Sequence, residues 1–521
     1  MASRNTLVRT RRRQGVAAIA AIAAVALAVT GCTGAKTASS ASTDSTVGDV
    51  LNIGAPSLSG RTSLDPAASW VSQTEIAYDT LITFEADGSY GPGLATKFGY
   101  KVPGTVFDLT LRSGVKFADG TTMTAEGVKQ SFDYMAAHSV NPSYFAGKTM
   151  AVTGPLSVEV TSATPDPTIP ALLSAQNQTG FVISPKALEN PQALATSTDG
   201  AGQYQLDASE TVTGDHYTYV QNPHYWNPKA VHYKKVVLKV IADPTSLLNA
   251  VKSGQIDVAF ADNSTAPAAK SAGLNVSVSP GIFVGLLMLD RDGAISKELS
   301  DVRVRQAINY ALDRKTLTKA LFGDYGTPTD QTVIKGQDGW INKTLYPYDP
   351  AKAKKLLAQA GYPNGFTLDA VATNAHSRNI YTQAMAGELE KVGIKLNVVT
   401  ENPDTSYYHD LWGGKYASAA MYLGAGSMFF EGQFLFLPTA QFNPFKSSDE
   451  ELLSLYQQAA AAPDAERKKL DQQMEQRLMD IAWVAPISFI DSVMYSRPQI
   501  AGVELSAGNG TSNPTWWKPA A

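Results

Sequence analysis

The 521-residue chain has one cysteine, Cys32, and six histidines. A single thiol excludes a disulfide within the chain and leaves every residue after Cys32 without thiol chemistry. The histidines include no closely spaced pair and no His/Cys cluster, so we predict no metal cage built by the protein itself and no cofactor. A metal bound through a small chelator needs few protein ligands, so this kind of metal binding stays an alternative. The histidines are His138, His216, His224, His232, His376 and His409.

Motifs of secreted hydrolases are also missing. The sequence has no Gly-x-Ser-x-Gly and no His-Glu-x-x-His string, which a nucleophile elbow or a catalytic zinc site needs. We therefore predict that the chain is not an enzyme. Paired carboxylates have no sequence signature, so a secreted hydrolase stays the alternative of a different class.

Charge is low and evenly mixed. The formal net charge is −4, charged residues make up 17% of the chain and hydrophobic residues 44%. This composition is typical of a soluble globular protein and carries no electrostatic footprint for nucleic acid, so we predict no nucleic-acid partner. No apolar run reaches the roughly 20 residues that a membrane-spanning helix needs.

The N-terminus has the pattern of a secretory signal. Arg9 and the arginines at 11–13 precede an uncharged stretch at 16–29, and small residues lead to Cys32. This order predicts a signal peptide over residues 1–31. The Ser/Thr/Ala/Gly-rich tract that follows lacks apolar mass, so residues 32–47 are predicted to form a flexible tether.

The junction Val29-Thr30-Gly31-Cys32 resembles the lipobox of bacterial lipoproteins. The resemblance implies that Cys32 is acylated and becomes the first residue of the mature chain, which anchors the protein to the outer face of the cell membrane. An ordinary signal peptide that is cut nearby is the alternative.

Periodicity along the rest of the chain predicts a mixture of helices and strands. Roughly 470 residues remain, more than one core usually holds, so two or more lobes are expected. No internal repeat is visible. Strands are predicted at 50–54, 107–111, 115–117, 217–220, 236–241, 367–371 and 394–399. Helices are predicted at 75–81, from Thr124, at 245–252, from Asp301, at 350–360 and as one long region over 449–481.

Many of these segments also resemble one family, the extracytoplasmic solute-binding proteins of peptide- and nickel-type ABC importers, called family 5. The order in which they occur makes the match specific. They are residues 63–66, 107–120, 124–126, 202–204, 222–226, 253–257, 301–314 and 354–362.

The resemblance implies an α/β, three-lobed fold of the periplasmic-binding-protein-like class II, with the ligand cleft between domains I and III. The resemblance implies that a permease recognises the closed, ligand-bound form. The implied partners are ABC permease subunits with their ATPases and a small-molecule or peptide ligand, and the chain is expected to be a monomer. A surface receptor that presents a ligand to a sensor is a further possibility. The implied boundaries are domain I at 48–86, 199–282 and 491–521, domain II at 87–198, and domain III at 283–490.

Two stretches are implied to line the cleft. In the first, an exposed strand edge at Trp70, Val71 and Ser72 is expected to bond the backbone of an extended ligand. Trp412 is added as an aromatic surface. The second stretch contributes Tyr422, Leu423, Gly424, Gly426, Ser427, Phe430 and Glu431.

The family places an aspartate in this second stretch to pair with the ammonium of a peptide, and here the aligned residue is Gly426. A buried ammonium without a countercharge costs several kcal/mol. Either Glu431 supplies the charge from a shifted loop, or the ligand has no free amine. We therefore expect an oligopeptide first, with an oligosaccharide, another neutral solute or a nickel chelate as alternatives.

Overall fold

The computed structural model describes residues 48–56, 62–69, 71–506 and 512–521, with Val71 and Ser72 described by their backbone. These residues belong to one compact unit, Thr46–Ala521. The predicted signal peptide, Cys32, the tether and Trp70 lie outside the described residues.

The helices alternate with strands over the whole described chain. In chain order they are α1 (Val71–Ala77), α2 (Ala125–His138), α3 (Ile169–Leu172), α4 (Pro244–Lys252), α5 (Ala266–Ser271), α6 (Lys297–Ser300), α7 (Val302–Ala311), α8 (Arg314–Phe322), α9 (Pro350–Gln359), α10 (Arg378–Glu390), α11 (Asp404–Trp412), α12 (Met428–Glu431), α13 (Glu450–Ala461) and α14 (Asp464–Asp480).

The strands are β1 (Gly48–Ala55), β2 (Ile82–Phe84), β3 (Tyr90–Pro92), β4 (Ala95–Val102), β5 (Val106–Leu111), β6 (Lys148–Gly154), β7 (Ser157–Ser162), β8 (Tyr204–Leu206), β9 (His216–Gln221), β10 (Tyr233–Val240), β11 (Val258–Ala261), β12 (Asn275–Met288), β13 (Gly326–Pro328), β14 (Phe366–Ala372), β15 (Ile394–Thr400), β16 (Ser418–Gly424), β17 (Val484–Ser496), β18 (Ile500–Ala501) and β19 (Lys518–Pro519).

Two long antiparallel strands, β12 and β17, join the two halves of the largest sheet, whose order is β15-β14-β16-β12-β17-β11-β1-β10-β9-β8. The register of this pair shifts between Pro280 and Ile282 and again between Val284 and Gly285. On one side of the first shift β17 also pairs with β11, and on the other side β12 pairs with β16. The chain therefore crosses between the two halves through two irregular strands.

The first half is built on β1, which is parallel to both β10 and β11. A separate four-stranded antiparallel sheet, β4-β5-β7-β6, carries α2 and lies within the segment predicted as domain II. Ile53 of β1 and Leu109 of β5 are both fully buried, and they belong to one continuous core cluster. The two sheets therefore share a core.

The second half is a layered α/β arrangement with a core on each face of the sheet. Leu286 and Leu287 are neighbours in β12, yet they belong to different hydrophobic clusters, because successive side chains of a strand point to opposite faces. The fold is thus a mixed α/β fold, in which helices and strands pack on one large sheet. The exact domain boundaries implied by the resemblance stay predictions.

The predicted helix starts at Thr124 and Asp301 and the predicted helix at 245–252 are confirmed. Thr124 caps α2 by accepting from the Gly127 amide, and Asp301 caps α7 in the same way from the Arg303 amide. Gly254 follows α4 with φ +79°, the conformation that glycine adopts most cheaply. These signals are local, so the sequence reveals them without tertiary information.

Three predictions are wrong in detail. The helix predicted at 75–81 begins earlier, and α1 spans Val71–Ala77. The strand predicted at 115–117 forms only one bridge, between Lys116 and Thr122. The long helix predicted at 449–481 is two helices, α13 and α14, because a residue before proline disfavours the helical region and Ala462, which precedes Pro463, is extended.

None of the helices within the described ranges combines the length and the apolar content that crossing a bilayer requires.

Candidate functional site

The predicted ligand residues of β16 lie beside the crossing strands. Gly424 is in register with Ile282 of β12, directly after the first register shift, and Tyr422 is in register with Val284. A Cβ on Gly424 would meet no described atom within 4 Å, so the end of β16 borders open space. Leu423 is 7% exposed and belongs to a hydrophobic core cluster, so its side chain packs inside the second half.

Tyr422 is surrounded by an aromatic and cationic cluster. The His376 ring stacks on the Tyr422 ring with centroids 4.4 Å apart and an interplanar angle of 17°. The guanidinium carbon of Arg378 lies 5.1 Å from the Tyr422 centroid, within cation–π range. Burial raises the pKa of Tyr422 to about 12, so the phenol stays neutral.

Arg378 is the centre of this cluster. The residue is 2% exposed, Nη1 donates to Asp404 Oδ1 at 2.7 Å, and Nη2 donates to the Tyr408 hydroxyl at 2.8 Å. Its Nε is buried and has no hydrogen-bond partner among the described residues. The same guanidinium lowers the pKa of His376, second to burial, so this imidazole is held in its neutral form.

Trp412 joins the cluster through α11. Its ring stacks on Tyr408, one helical turn earlier, with centroids 4.8 Å apart, and 44% of the residue is exposed. The structure therefore brings two predicted residues, Tyr422 and Trp412, to one surface around Arg378. We call His376, Arg378, Tyr408, Trp412 and Tyr422 the arginine–aromatic cluster.

The carboxylate of Asp262, in the other half of the sheet, has a weak electrostatic effect on this cluster. After burial and the charge of Arg378, the charge of Asp262, which follows β11, makes a smaller contribution that raises the pKa values of both His376 and Tyr422. Asp262 is held in place because its backbone carbonyl accepts from the Tyr495 hydroxyl of β17 at 2.6 Å. Asp262 follows β11 and Tyr422 lies in β16, so the two residues belong to elements on opposite sides of the β12–β17 pair in the sheet.

Gly426 lies under an aromatic ring. A Cβ at this position would be 2.5 Å from Cδ1 of Phe430 and 2.7 Å from its Cβ, closer than any real contact. Phe430 stacks on Phe434 with centroids 4.4 Å apart, and the Phe434 centroid lies 6.3 Å from that of Tyr144, near the four-stranded sheet. The space that an aspartate side chain would need is therefore filled by Phe430.

Glu431 turns toward the interior. It is 0% exposed, neither carboxyl oxygen has a hydrogen-bond partner among the described residues, and its neighbour is Glu475 of α14. Burial first, and then the like charge of Glu475, raise the pKa of Glu431 well above its ordinary value. In this environment the carboxyl is neutral and has no exposed surface with which to meet a ligand ammonium. Ser427 is exposed, and its hydroxyl caps α12.

The strand edge predicted at 70–72 is wrong where the structure describes it. Val71 and Ser72 form the first turn of α1, and no described strand pairs with this segment. The helix forms because Ile76 and Ala77 bury in the core of the first half. Trp70 lies outside the described residues.

Sequence reasoning missed Arg378, Asp404 and Tyr408. The one available signal was the spacing of Tyr408 and Trp412, four residues apart on one helix, which places two aromatic rings on the same face. In the part of the chain that the structure describes, no group of three or more His, Cys, Asp or Glu side chains is arranged to hold a metal ion.

Comparison with known proteins agrees with this architecture. Glutathione-binding protein GsiB of Escherichia coli O1:K1 / APEC is 28% identical over 353 residues, which is 65% of this chain and 67% of that protein. GsiB of Salmonella typhi is 29% identical over 357 residues, with the same coverage of both chains.

Solved structures share the fold at lower identity. DppA from Helicobacter pylori in complex with the peptide STSA has a TM-score of 0.75 and 21% identity, and covers 92% of this chain and 99% of its own. HbpA2 from Haemophilus parasuis has a TM-score of 0.78 and 19% identity, with 91% and 100% coverage. The family model of the bacterial extracellular solute-binding proteins, family 5, matches residues 89–441. The chain belongs to this family, the solute-binding proteins of ABC importers.

Proposed function

We propose that this chain is a lipid-anchored substrate-binding protein that captures a short peptide between two lobes and delivers it to an ABC permease. The observation that carries the proposal is the crossing of β12 and β17, with the arginine–aromatic cluster on one side and Asp262 on the other. A ligand that touches both sides favours the closed arrangement by its differential affinity. No covalent step is needed.

The peptide assignment is supported by the chemistry of the cluster. Trp412, which stacks on Tyr408, and Tyr422, which lies against the Arg378 guanidinium, offer flat aromatic surfaces. Such a surface suits a peptide with an aromatic side chain, since aromatic rings stack. GsiB is named for glutathione, itself a tripeptide, and DppA was solved with a peptide.

The position of Gly426 favours a second candidate ligand, a solute without a free amine. Phe430 fills the space of the missing aspartate, and Glu431 is buried beside Glu475. A peptide with a blocked N-terminus, an oligosaccharide or a metal chelate needs no countercharge at this place. Asp262 is an acidic residue in the other half of the sheet, and its Oδ1 accepts from the Ser264 amide at 2.8 Å.

A thermal-shift screen of the chain from Thr46 onward separates these ligands. The screen compares free peptides, the same peptides acetylated at the N-terminus, oligosaccharides and Ni²⁺–histidine. A ligand present at about 100 times its Kd stabilises the folded state by roughly 2.7 kcal/mol. A shift with free and acetylated peptides alike supports peptide capture without an ammonium site, whereas a shift with sugars or the nickel complex alone overturns the peptide assignment.

A matched pair of variants tests the cluster. Trp412 and Ile380 are both large, apolar and exposed, at 44% and 55%, but only Trp412 stacks on Tyr408. Trp412→Ala should weaken the binding of the ligand found in the screen about tenfold, since a stacked aromatic contact carries roughly this much. Ile380→Ala should leave the affinity unchanged. Equal affinity in the two variants would remove Trp412 from the site.

A further inference from the structure

A cavity lies between the first half of the sheet and the predicted domain II, and no residue of β12 or β17 lines it. Its volume is about 390 Å³. Residues near α1, the β2–β3 hairpin, the end of β9 and the C-terminal segment line it. Tyr225, Trp226 and Trp516 contribute aromatic surfaces. This size and this wall chemistry are typical of a pocket for a small organic molecule.

Glu75 of α1 lines this cavity, and no cation lies beside it among the described residues. The residue is 6% exposed, and its Oε2 atom is buried without a hydrogen-bond partner in the same part of the chain. Burial alone raises the pKa of Glu75 to about 8, with no contribution from a neighbouring charge. A buried carboxyl without a partner either keeps its proton or receives a cation.

The other acid in the cavity is already compensated. Asp79 accepts from Trp226 Nε1 at 2.9 Å and is stabilised by the charge of Arg112. Arg112 in turn lies over the Trp226 ring, 3.9 Å from its centroid. Burial raises the pKa of Asp79, but these partners hold it at about 6, so this carboxylate is charged at neutral pH. Glu75 is therefore the uncompensated acid of the cavity.

The remaining titratable groups that line the cavity do not provide a positive countercharge for Glu75. They are Tyr78 and Asp79 after α1, Tyr225 after β9, His232 before β10, and Lys518 in the C-terminal segment. Burial raises the pKa of both tyrosines, which stay neutral. Burial and Lys518 lower the pKa of His232, which is neutral as well. Lys518 is exposed.

We propose that this cavity binds a small organic ammonium ion, with Glu75 as its counterion and Tyr225, Trp226 and Trp516 as its aromatic walls. The site is separate from the arginine–aromatic cluster and would bind its ligand independently of the peptide. An ammonium ion suits it because N–H groups donate to the carboxylate of Glu75 while the carbon chain and the positive charge contact aromatic faces.

Binding must be linked to a proton. The empty site holds Glu75 protonated below pH 8, and the bound cation favours its ionised form, so the ion displaces one proton. Affinity should therefore rise about tenfold per pH unit between roughly pH 6.5 and 7.5 and level off above about pH 8. In this window His232 stays neutral because its pKa is lowered, and Asp79, with a pKa of about 6, is mainly ionised.

Isothermal titration calorimetry of the full chain in detergent, with n-butylammonium chloride as the probe, tests this site. Titrations near pH 7 in two buffers with different ionisation enthalpies count the protons released. We expect close to one proton, about tenfold tighter binding at pH 7.5 than at pH 6.5, and no binding to Glu75→Gln. Glu126→Gln, an exposed acid on α2, is the control and should bind as the unchanged chain does.

Three results would overturn the site: no binding of n-butylammonium, equal binding by Glu75→Gln, or an equal proton release with sodium chloride. The pH dependence needs no variant, so it decides the question even where Glu75→Gln fails to fold. Peptide binding by Glu75→Gln, measured in the same preparation, should be unchanged, which keeps the failure of this site distinct from the failure of peptide capture.

Discussion

The Cβ atom that Gly426 lacks would lie 2.5 Å from Cδ1 of Phe430, so these two residues exclude any larger side chain at position 426. Phe430 is held by stacking on Phe434 and does not simply swing aside. Phe430 therefore fills the space that a larger side chain at position 426 would need.

Gly426→Ala should destabilise the protein by about 1–3 kcal/mol, because the added methyl overlaps Phe430 in a packed region. Gly424→Ala is the matched control, since a Cβ there meets no described atom within 4 Å. Urea denaturation of both variants measures the difference. If both variants lose the same free energy of unfolding, then Phe430 moves aside without an energetic cost.

Arg378→Gln should cost about 1–3 kcal/mol. The change removes a buried guanidinium that bonds Asp404 and Tyr408, although the Asp404 side chain is 36% exposed and water compensates part of the loss. Arg303→Gln breaks an exposed pair with Asp301, which is worth about 1 kcal/mol at most. Chemical denaturation should therefore rank Arg378→Gln as the more damaging change, and the reverse order would contradict the central role given to Arg378.

Glu431→Gln should flatten the dependence of stability on pH. The folded-state pKa of Glu431 is raised above its ordinary value near 4.5, so the folded state holds a proton that the unfolded chain releases. Stability from this group is present below about pH 4.5 and is lost as the pH rises. As the pH rises above about 4.5, the unchanged chain should therefore lose stability that the variant keeps.

The control for this experiment is Glu466→Gln, an exposed glutamate at the start of α14. Its unfolding free energy should follow the unchanged chain at every pH. A Glu431→Gln profile that also overlays the unchanged chain would mean that Glu431 is ionised in the folded state.

Cys32→Ser should release the protein from the membrane fraction, because the lipid is the proposed anchor. Fractionation of cells and labelling with a fatty-acid analogue measure this directly. Thr37→Ser, in the proposed tether, should remain labelled and membrane-bound. Retention of Cys32→Ser in the membrane would contradict lipid anchoring at this residue.

Local signals in the sequence predicted much of the fold, and long-range contacts account for what was missed. Asp301 caps α7 through a residue two positions away, so its role is visible in the sequence. Arg378 depends on Asp404 and Tyr408, which lie 26 and 30 residues later, and nothing in the local pattern joins them.

The candidate site was predicted less well for the same reason. Tyr422 and Trp412 were identified as aromatic surfaces, but the direction of Glu431 depends on α14, where Glu475 lies. The segment at Val71 was expected to be extended, and burial of Ile76 makes it helical. Which way a side chain faces is decided by packing partners that sequence spacing does not reveal.

Small-angle X-ray scattering of the chain from Thr46, with and without the ligand from the thermal-shift screen, tests the central claim most directly. If the two halves close about the β12–β17 crossing, saturating ligand must reduce the radius of gyration, and Trp412→Ala must need more ligand for the same reduction. An unchanged radius of gyration at saturation, with binding confirmed by calorimetry, would contradict capture by closure.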